Sequence, residues 1–395
     1  MEMGFAMSNR PGRPESAGNL DPHRGNPEGG NPEGGNPGGA EIAGRGVSDR
    51  ETFLDEFRDA ISPRTLILAA GVLVLQLGFI LSYVGAFHSP TPHRIPVAVV
   101  APGPVAARTV AAINGIAKQP VHASAIADEA TARAKLARAE TSAVFIVNAS
   151  GTQDSLLVAS AGGTSVSGAL TSVLQSVEAQ QTRTVTVQDV IAAQAGDARG
   201  LTGFYLVVGW LVGGYLFASL LGMSKGARPA TFRRSLWRLG ATIPYAAVSG
   251  LGGALLVGPL LGALNGHFAA LWGIGTLLVL ASATVTIAFQ IMLGVLGIGL
   301  TVLVFVILGN PSAGGAYQAA LLPPFWRAIS SALPNGAGTT AIRRVMYFGG
   351  HGIRQSILVI AIWALAGAAV SIVASALEHR HRPQSQPHIG ITGLS

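Results

Sequence analysis

The chain has 395 residues, 49% of them hydrophobic and only 11% charged, with a net charge of +7 and no cysteine. That balance excludes an ordinary soluble enzyme, and the lack of cysteine excludes disulfides, thiolate metal sites and cysteine nucleophiles. The basic residues lie largely beside long apolar runs rather than in a soluble basic domain, so they read as topology signals and not as a nucleic-acid footprint.

Residues 1–50 repeat Gly25-Asn26-Pro27-Glu28-Gly29 as Gly30-Asn31-Pro32-Glu33-Gly34 and then decay into Gly35-Asn36-Pro37-Gly38-Gly39. Such a segment has nothing to bury that would offset its ordering entropy, and a disordered cytoplasmic tail is expected. Residues 51–64 follow as an amphipathic interfacial helix, with Phe53, Leu54, Phe57 and Ile61 on one face and Asp55, Glu56 and Asp59 opposite. Ser62-Pro63 ends it, since the residue before proline avoids the α region.

Six runs then carry no Asp, Glu, Lys or Arg: Thr65–Phe87, Leu201–Met223, Gly240–Leu261, Phe268–Gln290, Leu293–Leu308 and Ile357–Leu377. About 20 apolar residues at about 1.5 Å rise cross a hydrocarbon core of about 30 Å, so each is expected to span a membrane. The fifth is short and needs its flanks. The expected fold is an α-helical polytopic membrane protein of six transmembrane helices, with an α/β extracytoplasmic domain inserted between the first two.

That insertion covers residues 88–200. Ile95–Val100, Ala143–Val147, Leu156–Ala159 and Thr184–Val187 read as strands, and Val105–Ile116, Asp128–Glu140 and Ser165–Gln181 as helices. Residues 201–377 hold the later spans. Within them, 309–356 is too dense in proline for a spanning helix, and Pro323, Pro324 and Pro334 point to a re-entrant or interfacial segment at the outer face. Phe325, Trp326, Tyr347 and Phe348 suit the boundary between water and lipid.

Orientation follows from Lys225, Arg228, Arg233, Arg234 and Arg238, which sit between the second and third runs without an acid among them. They place that loop in the cytoplasm, and Arg58, Arg64, Arg380 and Arg382 put both termini, including the 378–395 tail, on the same side. Arg327, Arg343, Arg344 and Arg354 argue the other way from the long 309–356 connection. Small residues at Gly71, Gly78 and Gly85 and the pair Gly209 and Gly213 are the expected helix-packing sites. Pro244 and Pro259 are expected to kink the third span.

No catalytic constellation emerges. None of the lysines, Lys118, Lys135 and Lys225, is followed by Ser or Thr, so the chain has no Walker phosphate loop. The runs hold no ionisable group for a proton relay, the histidines form no metal-ligand cluster, and neither metal nor cofactor is expected.

The order of parts resembles the ABC type 2 exporter permeases, and within them the phage-infection-protein branch with its fungal relative, the nitrosoguanidine-resistance protein. The resemblance rests on Ile95-Pro-Val-Ala-Val-Val100 after the first run, Ala132-Arg-Ala-Lys-Leu-Ala-Arg138 leading into Ala143-Val-Phe-Ile-Val147, the Leu321–Gly338 stretch and the Arg343-Arg344 pair. It departs at Asn148-Ala-Ser-Gly151, where that branch commonly has a proline-containing turn. It implies a homodimer in the plasma-membrane bilayer, energised by a separate cytoplasmic P-loop ATPase and exporting a hydrophobic, lipid-like or drug-like compound. Phe53, Leu54, Phe57, Arg233, Arg234 and Trp237 would then form the ATPase-coupling surface. A non-transporting scaffold or receptor that presents the 88–200 domain, and an ion-coupled carrier, are the competing readings.

Overall fold

The computed structural model describes residues 62–226 and 232–380. The 1–50 tail and residues 51–61, with Phe53, Leu54 and Phe57, lie outside the described residues. The chain divides into two units, Met1–Leu66 and Ile67–Ser395, and apart from the first turn of α1 the second holds everything discussed below.

In chain order the elements are α1 (Pro63–Phe87), β1 (Ile95–Val100), α2 (Gly103–Asn114), β2 (Val121–Ile126), α3 (Glu129–Ala137), β3 (Ala143–Ile146), β4 (Gln153–Val158), α4 (Thr164–Ala179) and β5 (Thr184–Asp189). There follow α5 (Thr202–Lys225), α6 (Phe232–Leu255), α7 (Phe268–Leu293), the irregular helix α8 (Leu296–Ser312), α9 (Pro324–Ser330), α10 (Pro334–Tyr347) and α11 (Ile353–Arg380).

Among the described residues five helices are long and apolar enough to cross a membrane: α1, α5, α6 with its continuation to Leu260, α7 and α11. The sixth expected span is not among them. Gly294 at φ +63° breaks the chain after α7, and α8 then runs only from Leu296 to Ser312, about 25 Å at the helical rise. Its middle, Leu303–Leu308, widens into a π-helical turn. Pro259 stands in a second such turn, Leu256–Leu260, at the end of α6, while Pro244 is inside the helix.

The bundle is organised around α7, of which 67% of the spanning window is buried. Each neighbour reaches it through a glycine. A Cβ on Gly250 of α6 would stand 2.6 Å from Thr276 N, one on Gly367 of α11 2.5 Å from Val285 N, and one on Gly214 of α5 2.6 Å from the Val279 carbonyl. The expected packing glycines are differently placed. Gly71 and Gly209 face open space, Gly78 and Gly85 meet only side-chain atoms at 3.7 and 4.0 Å, and Gly213 meets the Tyr245 hydroxyl at 3.3 Å. The close approach on α5 thus falls one residue later than the small-residue spacing suggested. By contrast α1 is 6% buried, and its apolar side chains point outward all round, as a lipid-facing helix requires.

The inserted domain is a five-stranded sheet of order β2-β1-β3-β4-β5, parallel except for the β3–β4 hairpin. Alternation along β1 sends Ile95, Val97 and Val99 to a face covered by Ile113 of α2 and Val166, Leu170 and Leu174 of α4. Ala98, Val144 and Leu157 point the other way, onto Ala132 and Leu136 of α3. The hairpin turn dispenses with proline. Asn148 Oδ1 accepts Ser150 N–H at 3.0 Å, and Asp154 Oδ1 accepts Asn148 N–H at 2.8 Å. Arg183 then grips Asp154 through Nε and Nη2 at 2.8 and 2.6 Å, with Glu178 at 3.3 Å.

Two expectations follow. Gly250→Val or Gly367→Val should destabilise the detergent-solubilised protein by about 1–3 kcal/mol or more through overpacking, while Gly209→Ala leaves its Tm unchanged; equal Tm values for all three would contradict the packing described. Burial, with Asp154 adding, holds the Glu178 carboxyl above its ordinary value despite Arg183. A carboxyl so raised contributes stability that is present below the ordinary carboxylate range and lost as pH rises through the raised value. Glu178→Gln should therefore match the parent Tm at acid pH and exceed it at neutral pH; a lower Tm at neutral pH would show that the pull of Arg183 outweighs burial.

Candidate functional site

The segment between α8 and α11 carries the most unusual chemistry. Prolines start its helices: Pro323 precedes α9 with Pro324 at the first helical position, and Pro334 takes that position in α10. With 14 residues α10 is about 21 Å long, too short to cross a bilayer, yet its first half is buried. Asn335 at its start donates from Nδ2 to the Phe305 carbonyl and to Asn310 Oδ1, both at 2.9 Å. Phe305 lies in the π-helical turn of α8, and the next such carbonyl, Ile307, accepts the Ser82 hydroxyl of α1. One stretch of rearranged backbone thus ties α1 and α10 to α8.

The far half of α10 meets the sheet. Tyr347 donates its hydroxyl to Asp197 Oδ2 at 2.8 Å, and Asp197 Oδ1 accepts Thr202 N–H, also at 2.8 Å, in the first turn of α5. Asp197 is 4% exposed. Phe348 inserts among Ala98, Val144, Leu157 and Ala159, while Leu321 joins the core on the opposite face of the sheet. The backbone of the sheet's lead-in adds Thr91 N–H to the Leu321 carbonyl and His93 N–H to the Ala320 carbonyl, at 3.0 and 2.9 Å. Gln194 exchanges two hydrogen bonds with the Asn265 backbone in the α6–α7 turn, at 2.8 and 3.1 Å. Tyr347 and Phe348 therefore anchor the sheet to the bundle and do not face a lipid boundary. Of the other two aromatics, Phe325 is exposed, whereas Trp326 is buried with Ala86 and Leu322.

Between sheet and short helices lies a cavity of about 260 Å³. Thr141, Ser142 and Val166 contribute from the sheet side, and Gln318, Arg343 and Arg344 from the other. Both arginines are half-buried. Arg343 Nη2 donates to the Gly314 carbonyl at 3.1 Å and Arg344 Nη1 to the His351 carbonyl at 2.7 Å. The ion pairs among the described residues are Arg133–Glu129, Arg183–Asp154 and Arg183–Glu178, so neither guanidinium at the cavity has a carboxylate within 4.0 Å there. Burial lowers the Arg343 pKa, with Asp197 and Tyr347 opposing, but a guanidinium stays charged at any physiological pH. Burial, and after it the bond to Asp197, raises the Tyr347 hydroxyl, which remains a donor.

The residues expected at the coupling surface are elsewhere. Arg233, Arg234 and Trp237 stand on the first two turns of α6, which begins at Phe232, so this stretch is helix rather than loop. Trp237 is 69% exposed and Leu236 43%, whereas Arg238 is buried and donates to the Gly226 carbonyl at 2.6 Å. Among the described residues no three His, Asp or Glu side chains come together as metal ligands. Sequence reasoning noted Arg343 and Arg344 as topology charges and through resemblance, and missed Asp197; an acid five residues before an apolar helix is the signal that points to it. No protein-family model matches the chain, and no curated protein or solved structure matches it either.

Tyr347→Phe should cost about 1–3 kcal/mol, because it leaves a buried carboxylate oxygen short of its donor. Asp197→Ala should cost at least as much. The double variant should be no less stable than Asp197→Ala alone, since both changes report one interaction. Unfolding curves of the three proteins check this, and additive losses would show that the groups act separately.

Proposed function

We propose that the chain is the membrane permease subunit of an ATP-driven exporter of the ABC type 2 class, moving a hydrophobic, lipid-like or drug-like compound outward. In this reading the five long helices and the short α8 together make six passes of the plasma membrane. Both termini are cytoplasmic, the sheet domain is outside, and two copies work with a separate P-loop ATPase.

The observation that carries the reading is the position of α10. On one side it lines the amphipathic cavity beneath the sheet, and on the other Ala337, Ala341, Ile342 and Val345 share a core with Val207 of α5, Leu278 of α7, Phe305 of α8 and Ile360 of α11. A compound held in that cavity touches an element packed against most of the bundle. Force applied to the bundle from the opposite face therefore has a mechanical route to the compound. The exposed start of α6, with Arg233, Arg234 and Trp237 on it, suits the face that receives that force. The uncharged interior of the apolar runs favours energy supplied by a partner over ion coupling.

Purification of the tagged full-length protein from its native host in mild detergent tests this. A stoichiometric P-loop ATPase is expected to accompany it and to be lost with Arg233→Glu combined with Arg234→Glu. Intact protein that brings down no ATPase would overturn the permease reading in favour of a receptor, whose partner would meet the exposed edge strand β5.

A further inference from the structure

The cavity beneath the sheet has a chemistry more specific than "hydrophobic". A guanidinium carries five N–H donors in a planar fork that matches a phosphate or carboxylate. Among the described residues one protein acceptor is present for Arg343 and one for Arg344, the carbonyls of Gly314 and His351. Two such cations, adjacent in sequence and half-buried on one cavity wall without a carboxylate within 4.0 Å, lose hydration, and the charge of Asp197 offsets only part of that cost at Arg343. An anion between them relieves the rest. Ser142 adds its hydroxyl from the sheet side and Gln318 its amide from the arginine side, while Val166 and Phe348 leave part of the surface apolar.

Size decides how much of a ligand is held. Drug-sized molecules occupy pockets of about 300–1,000 Å³. A cavity of about 260 Å³ takes an oxyanion head and a short apolar piece, and the rest of a larger molecule must emerge. We propose that Arg343 and Arg344 bind the phosphate or carboxylate head of an anionic amphiphile in this cavity, with its first apolar atoms against Val166 and Phe348. Calling that amphiphile the exported substrate rests on the permease reading above; the binding itself does not.

Binding is measured on the purified full-length protein, without any ATPase, using dodecyl phosphate, dodecyl maltoside and inorganic phosphate as probes. Dodecyl phosphate should bind at least ten-fold more tightly than either of the others. Arg343→Gln and Arg344→Gln should each weaken it about ten-fold or more, the loss of one charge-assisted hydrogen bond. Because the arginines also hold carbonyls, a second variant avoids the folding question. Thr340 is exposed and lies three and four residues before them on α10, so the carboxylate of Thr340→Glu would pair with the guanidiniums and occupy the site from within. Thr340→Glu should keep the parent Tm and lose dodecyl phosphate, whereas Thr340→Gln keeps both.

Equal binding of dodecyl maltoside would overturn the anion claim. Inorganic phosphate binding as tightly as dodecyl phosphate would overturn the amphiphile claim and leave a free-oxyanion site. Unchanged binding in Thr340→Glu would remove the site from this cavity. Specific binding without a copurifying ATPase keeps the site and sinks the transport reading; an ATPase without binding does the reverse.

Discussion

A carboxylate at 4% exposure is tolerable only when its oxygens are met, and Asp197 is where the molecule is tied together. One oxygen takes Thr202 N–H at the start of α5, where the helix dipole also favours negative charge, and the other takes the Tyr347 hydroxyl from the end of α10. The same residue closes the chain's exit from the sheet. Three parts are thereby fixed at one point: the sheet, the first helix after it, and α10. Phe348 and Leu321, one on each face of the sheet, then make the docking a shared hydrophobic core rather than a contact of surfaces.

That shared core defines what the inserted domain is. Removing the sheet would bare Phe348 and Leu321 and leave the Tyr347 hydroxyl without its acceptor, so sheet and short helices share one core. The cavity lies between parts joined by that core. Its arginine wall belongs to α10, whose other face belongs to the bundle. Events at the sheet and events in the bundle are consequently felt by the same 14 residues.

Much of the architecture could be read from the chain. Charge-free runs are a strong signal because a bilayer punishes every unpaired polar group, and alternation such as Ile95, Val97 and Val99 declares a buried sheet face. What escaped was set by tertiary contacts. Strand β2, Val-His-Ala-Ser-Ala-Ile, alternates apolar and polar residues and buries Val121 and Ala123, but its small alanines carry little hydrophobic signal, and pairing in parallel with β1 fixes it as a strand. Leu293–Leu308 has the composition of a span, but Gly294 interrupts it at φ +63°, and the helix that follows, Leu296–Ser312, is shorter than the five long ones. Small-residue spacing identified α5 as a packing helix yet chose Gly213, because spacing alone does not reveal which side of a helix faces α7. Tyr347 and Phe348 look like interfacial aromatics until the acceptor and the pocket that hold them are seen.

The polar groups inside the bundle complete the picture. The hydroxyls of Thr286, Thr301 and Ser371 each donate to a carbonyl four residues back, at 2.7, 3.0 and 2.8 Å, and Thr284 reaches both its own helix and the Ala364 carbonyl of α11 at 3.0 Å. These are local satisfactions that soften helices without making a relay. Ser219 Oγ, Gln290 Nε2 and Asn335 Oδ1 are the described side-chain polar atoms that are buried without a protein partner, and none of them titrates. Buried charge close to the bundle instead stands in two places: Arg238 near the start of α6, and Asp197 with the half-buried Arg343 on the seam where α10 leaves the core for the cavity. Charge at that seam lies beside the cavity, whereas the interior of the bundle offers hydroxyls and apolar walls.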